Sequence, residues 1–115
     1  KREKELWYEI AHIPCAPHEI QQQMTTFTEV LANELKDPTM SAIELASFVH
    51  MGFARIWAYQ DANGRLARLF MNAILHMHQK PFITFPSEGE YFRVVHSSHY
   101  DHKVFSRYLE RIASL

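Results

Sequence analysis

At 115 residues, with 47% hydrophobic and 22% charged positions, the chain has the composition of one globular domain with a single core. Thirteen acidic and twelve basic residues leave a formal net charge of −1, so no charge excess points to nucleic acid or a membrane surface. The one cysteine, Cys15, makes neither an internal disulfide nor a zinc site, no apolar run approaches the roughly 18–20 residues that cross a bilayer, and no signal-peptide pattern opens the chain. Collagen, a disulfide scaffold, a membrane span and a disordered tail are excluded. Because the first residue is Lys1, the expectation is a single domain over 1–115 that is a piece of a longer protein.

Only three glycines occur, and the prolines fall at Pro14, Pro17, Pro38, Pro81 and Pro86. Long stretches without breakers predict an all-α fold. The opening run Leu6–Ile13 suits either a short helix or a strand, and too few residues precede Pro14 for periodicity to decide. Pro17 fits the first turn of a helix, with Ile20, Met24, Phe27, Val30 and Leu31 as its apolar stripe and Asp37-Pro38 as its break. Ser41 and Glu44 are spaced as a capping box. The helix they open carries Ile43, Ala46, Phe48, Val49, Phe53 and Ile56, a broad apolar face that predicts the central, mostly buried helix. A further helix is expected over 65–78, packing through Leu66, Leu69, Phe70, Ala73, Ile74 and Met77 before Pro81 closes it. After an extended link, Phe82–Phe85, come a helix over 87–96 and a last one with Asp101 as N-cap and Val104, Phe105, Tyr108, Leu109 and Ile112 on one face.

One stretch carries chemistry: residues 61–68, Asp-Ala-Asn-Gly-Arg-Leu-Ala-Arg, a loop that feeds directly into a helix. A helix start offers unpaired N–H groups and the positive end of the dipole, a ready anion site. Gly64 lets a ligand approach the backbone closely. Arg65 and Arg68 project from one side of the first turns as planar donor forks for a phosphate. Asp61 is a hard oxygen ligand suited to Mg²⁺ on the same phosphates. The same residues also suit a capped helix start with two solvated arginines.

The segment 57–68, Trp-Ala-Tyr-Gln-Asp-Ala-Asn-Gly-Arg-Leu-Ala-Arg, resembles the Fic family signature H-P-F-x-[D/E]-[G/A]-N-G-R-x-x-R. Residues 46–56 resemble the family's helix before that motif, 69–75 the helix after it, and 13–20 the proline-containing stretch that joins the family's flap to the next helix. The likeness runs over about 11–112. It implies an all-α Fic-type helical bundle with a short flap, a candidate β-hairpin remnant, near the N-terminus. It also implies ATP or a related nucleotide with Mg²⁺, and transfer of AMP to a Ser, Thr or Tyr hydroxyl of a target protein. Some members transfer phosphocholine, another nucleotide or phosphate instead. Position by position, Asp61 would hold Mg²⁺, Asn63 and the backbone around Gly64 would line the anion hole, and Arg65 and Arg68 would grip the remaining phosphates. Ile13, Pro14 and Pro17 at the flap would dock the target protein. The nucleotide and the lone thiol together favour a cytoplasmic setting, with a secreted bacterial effector as the alternative.

The departures from the signature are as informative. Trp57 stands where the family keeps its general-base His; Ala58 replaces Pro, Tyr59 replaces Phe, and Ala62 is a variation the family allows. Indole only donates and has no basic nitrogen, so Trp57 takes no proton from an attacking hydroxyl. Phosphate binding then survives while transfer is impaired; the alternatives are an active transferase with altered chemistry or a non-catalytic interaction module. His50 lies two helical turns before Trp57, about 10 Å away, and is expected to be a core histidine. His76 and His78 suit a helix C-terminus, and His96, His99 and His102 a solvated patch. His12 and His18 are expected at the surface near the flap. Cys15 lacks a paired base and is expected to be inert. Ser106 and Glu110 match only the first part of an inhibitory pattern found in some Fic proteins, so Glu110 is expected to be an ordinary surface carboxylate.

Overall fold

In the computed structural model, which describes residues 17–56, 63–98, 101 and 103–114, every regular element is helical. A short 3-10 turn, Pro17–Glu19, leads into α1 (Ile20–Lys36). Then come α2 (Ala42–Ile56), α3 (Asn63–Met77), α4 (Glu88–Ser98) and α5 (Lys103–Ala113). This is the all-α architecture that the breaker-poor sequence implies. Leu6–Ile13, Pro14, Cys15 and the flap they would form lie outside the described residues.

Local chemistry sets the boundaries. At the start of α2 the Glu44 N–H donates to Ser41 Oγ at 3.1 Å, and the Ser41 N–H donates to Glu44 Oε1 at 3.2 Å, the reciprocal pair of a capping box. Asp101 caps α5 by accepting the Lys103 N–H at Oδ1, 3.0 Å. At the end of α3 the Lys80 N–H donates to Leu75 O and the Gln79 N–H to His76 O, with Gln79 at φ 60°. That is a Schellman stop with Gln at the position where glycine is usual, and Pro81 follows at once. His78 Nδ1 adds a contact to Ile74 O at 2.9 Å.

The α1–α2 turn is held by a residue whose role its sequence gives no hint of. Glu34 is buried near the end of α1. Its carboxylate accepts the N–H groups of Thr39 (2.9 Å) and Met40 (3.1 Å) as well as the Thr39 hydroxyl. It thereby meets backbone donors that the Asp37-Pro38 break leaves without helix partners. Glu34→Gln keeps the shape but turns one acceptor into a donor facing those N–H groups. We expect it to cost about 1–2 kcal/mol in urea unfolding, with the slope of the transition unchanged.

The central helix is α2, buried from Leu45 through Gly52 and again at Arg55 and Ile56. Phe27 of α1 stacks on Phe48 at 5.1 Å and meets Phe53 edge-on at 5.7 Å. The ring of Phe27 leaves no room for a Cβ at Gly52, so glycine is needed there for packing. From α5, Phe105, Tyr108 and Leu109 close the other side of the core, with Tyr91 of α4 beside them.

The face that α3 buries corrects most of the expected stripe. Of that stripe Ile74 is buried, but Leu66, Leu69, Phe70 and Met77 are exposed by 40–62% and Ala73 is exposed too; Ala67, Met71 and Leu75 are buried beside Ile74. Polar side chains on α3 form only a narrow band, so its apolar arc is wide enough to hold two stripes of helical period. The inward one includes Ala67, whose small side chain lets α3 pack close to α2, its principal helical neighbour. Of the outward stripe, Phe70 keeps one inward contact, stacked on Phe53 at 4.6 Å.

Candidate functional site

The helix α3 begins at Asn63, and no acidic residue occupies its first turn. Within that first turn nothing acidic offsets the positive end of the dipole, and Arg65 and Arg68 follow on the first two turns. Arg65 is exposed. Arg68 is half-buried and folds back, its Nε donating to Gly64 O at 3.1 Å. Its Cζ lies 4.8 Å from the centroid of the Tyr91 ring. Among the described residues no carboxylate pairs with either guanidinium. Gly64 is not in the left-handed region. Among the described residues, a Cβ there would meet Arg68 Nη2 alone, at 3.9 Å, and the glycine relieves no backbone strain.

Beside Arg68 lies a cavity of about 280 Å³, bounded also by Asn72, Ile83, Thr84, Phe85 and Glu88. One wall is the extended link after α3, pinned by a single side chain. Asn72 Nδ2 donates to Ile83 O at 3.2 Å and Asn72 Oδ1 accepts the Ile83 N–H at 2.8 Å. The amide copies a strand partner for one residue, which fixes the distance between the link and the arginine.

Behind the arginine is a buried polar stack. Tyr91 Oη lies 2.6 Å from His50 Nε2, and the imidazole is sandwiched against Phe105 at 4.2 Å. Burial first, and the Arg68 charge second, lower the His50 pKa to about 3, so the ring is neutral at physiological pH. Burial likewise pushes the Tyr91 phenol up to about 12. Among the described residues His50 Nδ1 has no partner. The phenol therefore donates to Nε2 and the imidazole proton sits on Nδ1, the tautomer that leaves the fewest buried polar atoms unmet.

Of the residues that the sequence reading singled out, Gly64, Arg65 and Arg68 stand together on the first turns of α3. Asn63 opens that helix, and Pro17 begins the turn before α1. Trp57 and Asp61, with Ile13 and Pro14 of the flap, lie outside the described residues, as do His12, His99 and His102. His50 is fully buried, as expected of a core histidine. His18 is exposed, 3.6 Å from Glu19 Oε1. No group of metal-binding side chains forms among the described residues. Glu110 is exposed on α5, the surface position expected for it. Tyr91 was not anticipated: it sits in a different helix from both Arg68 and His50, and only tertiary packing brings the three together.

The fold is an all-α bundle with Arg65 exposed and Arg68 half-buried on the first turns of α3. Comparison with known proteins gives the particular family. Residues 2–75 match the Fic/DOC family model, and this chain belongs to that family. It is 36% identical over 104 residues to a protein adenylyltransferase Fic of Nematostella vectensis, covering 87% of this chain and 24% of the relative. It is 30% identical over 101 residues to protein adenylyltransferase fic-1 of Caenorhabditis briggsae, covering 85% and 20%. The Caenorhabditis elegans protein of the same name is 29% identical over the same shares. The chain thus spans about a quarter or less of the curated relatives it matches. No solved structure matches it. No helix among the described residues is long and apolar enough to cross a membrane.

Proposed function

We propose that this domain binds the phosphates of ATP, or of a related nucleotide with Mg²⁺, at the N-terminus of α3, and that AMP transfer from it to a protein hydroxyl is impaired by Trp57. The observation that carries the reading is Arg68: half-buried, without a carboxylate partner among the described residues, and bordering an open cavity. An arginine so placed keeps its terminal N–H groups free for charge-assisted bonds to an anion. Arg65 adds a second fork from the same turns, while Asn63 and the N–H groups around Gly64 line the anion hole.

The donor set suits a polyphosphate, because cations and backbone donors converge where the helix dipole is positive. Asp61, a hard carboxylate just upstream, is the residue that would hold Mg²⁺. Bound there, the metal would neutralise phosphate charge and so ease departure of pyrophosphate. The flap residues Ile13, Pro14 and Pro17 would dock the target protein, whose Ser, Thr or Tyr hydroxyl is the acceptor in an active member.

Calorimetry with Mg-ATP, paired with labelled-nucleotide transfer, tests the reading. The expected result is saturable binding with little labelled product, weakened roughly tenfold or more by Arg65→Ala or Arg68→Ala, since charge-assisted bonds are lost. Product that depends on Arg65 and Asp61 would establish an active transferase of altered chemistry. Absence of binding, with indifference to Arg65→Ala, would leave a non-catalytic interaction module.

A further inference from the structure

We propose that Tyr91 is a positioning residue for Arg68: its ring lies under the guanidinium, its hydroxyl is anchored on buried His50, and together they hold the arginine fork at the mouth of the cavity. The use of that fork for phosphate rests on the function proposed above.

The geometry forms a chain of three residues from three helices. Arg68 leaves α3 and is held at two points, Nε on Gly64 O at 3.1 Å and Cζ over the Tyr91 ring at 4.8 Å. A guanidinium held by one hydrogen bond still swings about it; a ring face beneath it removes that freedom and attracts the charge. With Nε engaged, the terminal nitrogens remain to meet a ligand.

The ring is itself held on several sides. Tyr91 is almost fully buried. Phe85 lies against it at 4.6 Å and His50 meets it edge-on at 5.5 Å. Its hydroxyl reaches His50 Nε2 at 2.6 Å, deep in α2. His50 in turn stacks on Phe105 of α5. The arginine is therefore referenced to the core through a side chain that touches no ligand. An ionic partner in place of the ring would fix Arg68 too, but it would neutralise the charge that an incoming anion needs. An aromatic face leaves the charge available.

The test uses two readouts on the full chain. In the ligand-free protein, the Arg68 Nε–H signal is expected to be shifted upfield by the ring and protected from exchange. In Tyr91→Leu it should move to the position of a solvated arginine. With Mg-ATP as probe, Tyr91→Leu is expected to weaken binding roughly 3- to 10-fold. It should cost nothing further once Arg68 is alanine, a non-additivity that general destabilisation does not produce. Should Tyr91→Leu fail to fold, Tyr91→Phe serves. It keeps the ring but loses the His50 anchor, and should reduce the upfield shift and lower affinity roughly two- to threefold. An unshifted Arg68 signal in the wild type, or wild-type signals and affinity in the Tyr91 variants, overturns the positioning role. If the signals behave as expected while the wild type binds no Mg-ATP, the positioning stands and the phosphate-binding reading falls.

Discussion

Trp57→His is expected to raise AMP transfer by about 10²–10⁴-fold over the wild-type chain, the range a positioned general base contributes. The substitution restores the residue type that the family signature carries at this place, two residues past the buried Arg55 and directly after Ile56 ends α2. An imidazole there offers a basic nitrogen near neutral pH, where indole offers only a donor. The measurement is label from α-labelled ATP entering protein, alongside pyrophosphate release, so that transfer to water is also counted. Affinity for Mg-ATP should change little, because the arginine forks on α3 are untouched. Binding without any gain in transfer would mean that more than the base has been lost, with flap geometry or the Mg²⁺ ligand the next suspects. A gain that disappears on Asp61→Ala or Arg65→Ala would tie the restored chemistry to the proposed cradle.

Much of the fold is legible because its signals are local. The Ser41–Glu44 box and the Asp101 cap act within three residues, and both form as their spacing implies. The centrality of α2 follows from an apolar face too broad for a surface helix. The facing of α3 is not local: either half of its apolar arc satisfies the helical period, and which half turns inward depends on the surface of α2. Glu34 is illegible for a related reason. A glutamate two residues before the end of a helix reads as solvated until the following turn folds back and aims two N–H groups at it. The candidate site divides in the same way. Gly64, Arg65 and Arg68 lie within five residues at the start of one helix, so the proposed anion site can be read from a short window. The part that holds Arg68 in place is assembled from residues 23 and 41 positions apart, in pairs that no sequence window contains.

The buried imidazole makes a second large prediction, this time for stability. Burial holds the His50 pKa near 3, against about 6.5 for the unfolded chain, and the Arg68 charge acts in the same direction. The folded-state value is the lower one, so the unfolded chain binds a proton first as pH falls. The contribution of His50 is therefore fully present above about pH 6.5 and is lost progressively between there and about pH 3. Between pH 7 and pH 4 the linkage amounts to about 3 kcal/mol, a large share of a small domain's stability. Among the described residues, the titratable or charged groups facing His50 are Tyr91 and Arg68, and neither titrates in that window. Tyr91 is pushed upward, away from it, and an arginine keeps its charge throughout. Carboxylates elsewhere do titrate below about pH 5, so the informative quantity is the difference between wild type and His50→Phe in urea unfolding across this range. At pH 7 the variant is expected to be less stable, because the Tyr91 hydroxyl loses its acceptor. On acidification the gap should narrow and then reverse, since phenylalanine has no proton to exclude. Parallel curves for the two proteins would show that the imidazole accepts a proton in the folded state as readily as in the unfolded one, which the fully buried stack between Phe105 and Tyr91 does not permit.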